Sequence, residues 1–413
     1  MATLLLFHLT IARLLLVPAA VGTVSSTVFL VMALLASRKF RRQAREWQHR
    51  VDETSRSSFP PVTVLKPVHG AEPNLERNLE SFFQQDYPGF EIVFGCRTSD
   101  DRALLAVERL RVKYPQIQVR VVLSGHPTWP NAKVYSLSKM IASSRNDYFV
   151  ISDSDINVRP EFLRNVIAPL LEPGNGLVTC MYQGVPAGDF WSQLEALGMS
   201  IELPSGVMTA NMLEGMKFAL GAVMAVRRDA LEKIGGIGET KDYYSDDFVL
   251  GNLVAERAGM TVVLSHHTRV GHVLTAQTFR QTFKTQLRWM QSTRYSRPKG
   301  HLGTGLTFST PFGILGLISA GALGWWPAGI ALCAWGYFNR VVQALAIGWN
   351  VIGDRRALTG ALLYPLRDLL GFVVWLSSYL GGDTFLWRGE LYRFTPGGRI
   401  VPATRKAEEA VTV

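Results

Sequence analysis

Apolar and polar positions divide the chain into three regimes. From Leu14 to Ala36 no residue is charged, and Ser37-Arg38-Lys39-Phe40-Arg41-Arg42 follows. About 20 consecutive apolar residues span a bilayer, so the pattern predicts a transmembrane anchor over 1–42. A cleaved signal peptide would have a shorter apolar core, with cations before it rather than after. The trailing cations put the chain beyond residue 38 on the cytoplasmic side. A second zone, Gly300 to Asn339, contains no Asp, Glu, Lys or Arg. Trp325-Trp326-Pro327 breaks it, as a turn with interfacial aromatics would. Spans are predicted near 306–324, 328–351 and 358–381, within a membrane segment 301–382. Asp354-Arg355-Arg356 would be the cytoplasmic link between the last two.

Two charges fall inside these spans. At about 1.5 Å rise per residue, Arg340 and Asp368 lie at similar depth from one membrane face. Charges at that depth usually pair or line a cavity. The spacing predicts an Arg340–Asp368 pair, with Arg367 adjacent. The alternative is a tilted or re-entrant last span whose charges reach the headgroups. A basic tail, 383–413, follows with Arg388, Arg393, Arg399, Arg405 and Lys406.

The middle, 60–275, reads differently. Val62-Thr63-Val64-Leu65 is a β-branched run, and a helical pattern follows through Leu75, Leu79, Phe82 and Phe83. Strands over 90–94, 117–123 and 147–152 alternate with helices over 100–114 and 132–143. Such alternation predicts an α/β fold with a largely parallel sheet covered on both faces. Ligands in such sheets bind beyond the carboxyl ends of the strands.

Composition agrees with a mixed chain. Of 413 residues, 47% are hydrophobic and 18% charged, against about 25% charged in a typical soluble domain. Disorder is excluded, and a wholly soluble enzyme fits poorly. The formal charge is +10. Cations at such density suit nucleic acid, phosphate ligands or an anionic membrane. Here they abut membrane spans, which argues against a nucleic-acid partner. Cys96, Cys180 and Cys333 are far apart, with no metal-type spacing, and read as reduced thiols.

Three acidic groups stand at predicted strand ends or helix starts. Asp153-Ser154-Asp155 follows the buried-strand sequence Tyr148-Phe149-Val150-Ile151. Carboxylates spaced i, i+2 at a strand end suit a hard divalent cation, Mg²⁺ or Mn²⁺, shared with substrate phosphates. The bland alternative is a helix cap. Asp246-Asp247 either complements a helix dipole or supplies a general base, because adjacent carboxylates raise one another's pKa. Asp100-Asp101 also begins a helix. No Gly-x-Gly-x-x-Gly and no phosphate-loop lysine motif occurs, which weakens dinucleotide and ATPase readings.

No acid occurs from Arg257 to Gly353. Within that stretch Phe279, Phe283, Leu287 and Met290 form an apolar stripe beside Arg280, Lys284 and Arg288. This predicts an amphipathic helix over 276–300, lying in the membrane interface. Its arginines suit anionic headgroups or a diphosphate.

The string Val64-Leu65-Lys66-Pro67-Val68-His69-Gly70, with Pro73-Asn74-Leu75, Asn78-Leu79-Glu80-Ser81-Phe82-Phe83 and Asp86-Tyr87-Pro88, resembles the ceramide glucosyltransferase family. The resemblance extends to Trp387-Arg388-Gly389 and Tyr392-Arg393. It implies a membrane-anchored, inverting glycosyltransferase with a GT-A nucleotide-sugar fold. Asn131-Ala132-Lys133, Gly215-Met216-Lys217, Gly221-Ala222 and Ser296-Arg297-Pro298 are similar to bacterial members, which include enzymes acting on hopanoids and imply a bacterial inner membrane.

Position by position, the resemblance implies that Asp101 holds the nucleotide base. Asp153, with Asp155, holds the metal near the diphosphate, and Asp247 is the general base. Asp246 stands where many relatives have Glu. Leu287-Arg288-Trp289 fits the family's last motif, but Thr285 occupies its first position. Lys133, Asp246 and Arg294 are expected to touch substrate, and Arg288 and Trp289 to serve catalysis. The implied partners are a UDP-sugar, the bilayer and a lipid acceptor, either ceramide or a hopanoid polyol. A processive polysaccharide synthase would need more channel-forming spans. A lipid-binding or transport protein that has lost catalysis would not need Asp101, Asp153, Asp247 and Arg288 intact.

Overall fold

A computed structural model describes residues 2–387 and 389–403; Arg388, Arg405 and Lys406 of the expected tail lie outside the described residues. The chain forms two compact units. One comprises 40–187, 210–275 and the chain from 383 onward; the other comprises 1–39, 188–209 and 276–382.

The first unit is built on strands β1 (Val62–Pro67), β2 (Phe90–Cys96), β3 (Gln118–Leu123), β4 (Tyr148–Ser152), β6 (Asn175–Thr179), β8 (Val223–Arg227) and β9 (Thr261–Leu264). They form one seven-stranded sheet in the order β3-β2-β1-β4-β8-β6-β9. Between the strands lie helices α2 (Leu75–Phe83), α3 (Ala103–Lys113), α4 (Ala132–Ser143), α5 (Phe162–Ile167), α7 (Arg228–Ile234) and α8 (Asp246–Asn252). The α/β expectation holds, with strand and helix limits close to those read from periodicity. The sheet is largely parallel, as expected, with one strand reversed. β3, β2, β1 and β4 run parallel, but β8 is antiparallel to both β4 and β6. Every residue of the segment Val223–Val226 is buried. Such a run has the same apolar pattern in either direction, so only the connections set its sense.

A small sheet of β5 (Ile156–Asn157), β7 (Gln183–Val185) and β10 (Gly271–Val273) lies in the same unit. So does a meander of β11 (Thr384–Trp387), β12 (Glu390–Thr395) and β13 (Arg399–Pro402). The core includes Val64, Leu79, Phe82, Ile92, Phe94, Val150 and Phe162, each fully buried. Gly95 lets α4 approach β2: a Cβ there would stand 2.4 Å from the sulfur of Met140. The side chain of Asn131 caps α4 by accepting from the Lys133 and Val134 N–H groups at 3.0 and 3.2 Å, an arrangement favoured at helix starts.

The second unit is helical. α1 (Ala2–Glu53) is one continuous helix, much longer than the predicted span, and its later part belongs to the first unit. α6 (Phe190–Glu214) also passes from one unit to the other. The remainder are α9 (Phe279–Ser296), α10 (Pro298–Gly305), α11 (Thr310–Ala322), α12 (Trp326–Gln343), α13 (Arg355–Thr359) and α14 (Tyr364–Leu380). Among the described residues two helices are long and apolar enough to cross a membrane, Leu6–Glu53 and Trp326–Trp349. The α10–α11 pair, bent by 49°, makes a third if it is one span. The predicted span 358–381 becomes two pieces, the longer, α14, having 17 residues. Gly360 and Pro365 lie at that interruption.

The two charges expected within the spans, Arg340 and Asp368, are paired as the spacing predicted. Arg340 Nη1 lies 3.3 Å from Asp368 Oδ1, each side chain 3% exposed. Asp368 Oδ2 also accepts the Ser309 and Thr310 N–H groups at 3.0 and 2.7 Å, satisfying donors at the start of α11. Arg367 faces Glu202 at 3.1 Å instead. Asp354, read as a link, is 3% exposed; it caps α13 and accepts from Ser200 Oγ at 2.7 Å.

Candidate active site

The acidic residues singled out by the sequence stand at the carboxyl ends of β2 and β4 and at the start of α8. Asp153 begins the turn after β4. Its carboxylate meets Lys133 Nζ at 2.6 Å, from the first turn of α4. Asp155, two residues on, meets His272 Nε2 at 3.2 Å. β10 is antiparallel to β5 with His272 opposite Ile156, which brings that imidazole beside the turn. Below them, the fully buried Lys66 of β1 donates to Ser152 Oγ at 3.2 Å and to the Asp153 carbonyl. Its ammonium lies 3.9 Å from the Phe82 ring centroid. Burial pushes its pKa down to about 7, against the pull of Asp153 and Asp155.

Asp246 and Asp247 open α8. Asp246 is 8% exposed, and its Oδ1 accepts from Asn131 Nδ2 at 3.2 Å. The same amide donates to the Tyr243 carbonyl at 2.9 Å, tying the start of α4 to the loop before α8. Asp247 is half-buried and lies against Gly221, where a Cβ would stand 2.9 Å from its Oδ2. Burial, then the charge of Asp246, pushes its pKa up to about 7, outweighing the opposing influence of Lys133. Asp153 is raised as well, by burial first and by Asp155 and Asp246 among its neighbours. Burial works the same way on Asp155, but His272 and Lys66 prevail and hold it below the ordinary carboxylate range. Lys133 loses solvation too, yet Asp153, Asp246 and Asp247 together raise it. The structure therefore gathers Lys133, Asp153, Asp155, Asp246 and Asp247 into one electrostatic cluster.

Asp101 belongs to the other end of the cleft. Its side chain is 6% exposed and accepts from the Gly70 and Ala103 N–H groups at 2.8 and 2.9 Å. His69 Nδ1 lies 2.9 Å away. Burial opposes its charge, but these donors hold its pKa below the usual value. The helix-cap reading of Asp101 is thus present in the structure, and the exposed imidazole it orients is that of His69. The cleft between these ends is lined by His69, Glu72, Arg97, Ser124, Lys133 and Ser154, beyond the carboxyl ends of the strands.

The residues assigned to the last motif lie on α9, in the helical unit. A capping box of Thr278 and Gln281 starts that helix. Its buried residues are Thr282, Gln291 and Ser292, while Phe279 of the apolar stripe is 46% exposed and Trp289 is 38% exposed. Arg288 is half-buried. Arg294 is engaged within its own unit: it donates to the Ser378 carbonyl and lies 5.2 Å from the Tyr379 ring centroid.

The sequence profile described as Glycosyl transferase family 21 matches residues 19–400. The chain belongs to glycosyl transferase family 21. Ceramide glucosyltransferase 1 of Caenorhabditis elegans is 23% identical over 366 residues, covering 86% of this chain and 77% of that protein. Ceramide glucosyltransferase of Komagataella phaffii is 36% identical over 99 residues, 23% of this chain and 19% of that one. Among solved structures, the mannosyltransferase PcManGT from Pyrobaculum calidifontis in complex with GDP-Man and Mn²⁺ aligns at a TM-score of 0.46 and 19% identity. That alignment covers 87% of this chain and 98% of that one.

The protein is thus a glycosyltransferase. The donor set fits a divalent cation. Asp153 and Asp155 present two carboxylates from one turn, and the buried Asp155 Oδ1 has no hydrogen-bond partner among the described residues. No three His, Cys, Asp or Glu side chains of the described residues converge as a metal site. The protein would supply two ligands and leave the rest to diphosphate and water, as Mg²⁺ commonly requires.

Sequence reasoning gave no role to Lys66, Tyr182 or His272. Tyr182 packs 5.5 Å from His272, and burial, then Asp247 and Asp153, raise its phenol. Lys66 stood inside the quoted family string, and a lysine in a buried strand was its available signal. His272 had none, because its place depends on the pairing of β10 with β5.

Proposed function

We propose that this glycosyltransferase moves a sugar from a UDP-sugar to a hydroxyl of a membrane lipid, with inversion at the anomeric carbon. The observation that carries the reading is Asp247, a half-buried carboxylate with its pKa pushed up to about 7, clustered with Asp153 and Lys133. A base with pKa near the working pH combines a useful deprotonated fraction with real proton affinity. In this reading Asp247 takes the acceptor hydroxyl proton as that oxygen attacks the anomeric carbon. One displacement with one base converts an α-linked donor into a β-glycoside. Asp246 sustains the pKa of Asp247, and Lys133 limits the repulsion within the cluster. Asp101, through His69 and Gly70, shapes the nucleoside end.

Asp153 and Asp155 would hold Mg²⁺ or Mn²⁺, which when bound neutralises charge on the departing diphosphate. Arg288 adds a guanidinium suited to phosphate oxygens, with Trp289 beside it. Arg294 contributes by anchoring α9. Segment 1–42 acts as an anchor, 60–275 as a cytoplasmic catalytic domain, 276–300 as an interfacial helix and 301–382 as further membrane segments, before the tail 383–413. The acceptor would enter from the bilayer of a multi-pass membrane protein.

The names of the relatives support glucose as donor sugar and ceramide as acceptor. A hopanoid polyol, with UDP-N-acetylglucosamine as donor, is the second reading, supported by Asn131-Ala132-Lys133 and Gly215-Met216-Lys217. Mass spectrometry of lipids made by the purified protein from several UDP-sugars, ceramide and bacteriohopanetetrol tests both. Transfer should disappear in Asp247→Asn while UDP binding persists. Retained turnover in that variant would remove the base assignment.

A further inference from the structure

A second cleft adjoins the nucleotide cleft, and the C-terminal meander builds one of its walls. Arg97, His126 and Trp129 line one side; Trp387, Glu390 and Tyr392 line the other. Arg97, Pro127 and Ala132 border both clefts, so the two are continuous. The meander is fixed to the loop preceding α8. Tyr244 packs against Phe385, Trp387 and Phe394 at ring-centroid distances of 5.4, 5.2 and 5.6 Å. Ile400 N–H donates to the Asp242 carbonyl at 2.8 Å. Arg399 Nε donates to Tyr243 Oη at 3.1 Å. The second wall is therefore set by the segment that carries Asp246 and Asp247.

The lining selects among ligand classes. Glu390 repels a further phosphate, and Arg97 repels an ammonium. A charged pair and an imidazole disfavour an alkyl chain. Trp129 and Trp387 add indole rings to a lining that also carries Arg97, His126 and Glu390, while Tyr392 is buried and stacks on Phe385. Tyr392 Oη donates to Glu390 Oε2 at 2.7 Å, orienting that carboxylate to accept further hydrogen bonds. A neutral, hydroxyl-bearing carbon skeleton satisfies all of these: its C–H face lies on the rings and its hydroxyls meet Glu390, His126 and Arg97.

We infer that this second cleft is a polyol subsite, taking either the pyranose of the donor or the hydroxylated headgroup of the acceptor. It deepens the function proposed above and rests on it. The test uses the full-length protein in detergent, with Glu390→Ala and His126→Ala combined, since both side chains are exposed. Equilibrium binding is measured for UDP, UDP-glucose, a short-chain ceramide and bacteriohopanetetrol. UDP affinity should stay within about twofold, which also reports an intact fold. A loss of about tenfold confined to UDP-glucose supports the subsite with the donor as its source. The same loss confined to a lipid supports it with the acceptor as its source. Glu390→Gln should recover part of the loss, because the amide oxygen still accepts from Tyr392. Unchanged affinity for all four ligands, or an equal loss for UDP and UDP-glucose, overturns the inference. Absence of transfer by the wild-type protein would overturn the proposed function instead, because binding is read without turnover.

Discussion

Asp246→Asn gives the most searching test of how the site makes its base. Asp247 titrates near pH 7 because the fold withdraws water from it and because Asp246 is adjacent. If Asp247 is the base, kcat/KM rises about tenfold per pH unit below 7 and levels above it, since only the deprotonated form accepts the proton. Two unit charges roughly 6 Å apart at an effective dielectric constant of about 20 interact by about 3 kcal/mol, or about two pH units. Asp247 is only half-buried, and solvent screening reduces this to about one unit. Asn at 246 keeps the shape and can still accept from Asn131, so the start of α8 stays in place. The acidic limb should move from about pH 7 to about pH 6, with UDP affinity unchanged. The maximal rate should fall modestly, because a weaker base has less driving force. The assay is the pH dependence of kcat/KM with a fluorescent short-chain lipid acceptor. A limb that stays at pH 7 while the rate falls would refute the electrostatic role of Asp246, and a wild-type profile flat from pH 5 to 8 would refute Asp247 as the titrating base.

Lys133→Met removes the cation that opposes protonation of Asp247, so the limb should move above pH 7; a downward move would contradict the arrangement of charges. Gly221→Ala places a methyl 2.9 Å from the base oxygen, so kcat should fall about tenfold or more with little change in UDP affinity. Replacing only one member of the buried Arg340–Asp368 pair strands the other, at a cost of about 3–5 kcal/mol. Asp368→Asn should lower the thermal midpoint in detergent more than Arg393→Ala does, because Arg393 is an exposed partner of Asp383. Asp247→Asn should raise stability at pH 8 relative to pH 4. A carboxyl whose folded pKa exceeds its unfolded value loses stability as pH rises toward 7, and the amide does not titrate.

Local pattern determined a large part of this protein. Uncharged runs marked α1 and α12, β-branched runs marked β1 to β4, and Asp153 and Asp247 were visible because carboxylates at strand ends and helix starts have few uses. Even the Arg340–Asp368 pair followed from the regular rise of a helix. Apart from that pair, whose members lie 28 residues apart on two helices, these features depend on neighbours within a few turns, which a sequence displays directly. Tertiary structure decided the rest, because it depends on which distant segments pair. The reversal of β8 lies within a run that is buried throughout. His272 reaches Asp155 through the pairing of β10 with β5, and Asn131 joins Asp246 across more than a hundred residues. The value of about 7 for Asp247 arises from water excluded by surrounding elements and from charges gathered off α4, α8 and β4, a sum that exists only once the chain has folded. The C-terminal meander shows the same division. Its sequence reads as a basic tail, and only the packing of Tyr244 against its rings makes it a wall beside the cleft at the strand ends.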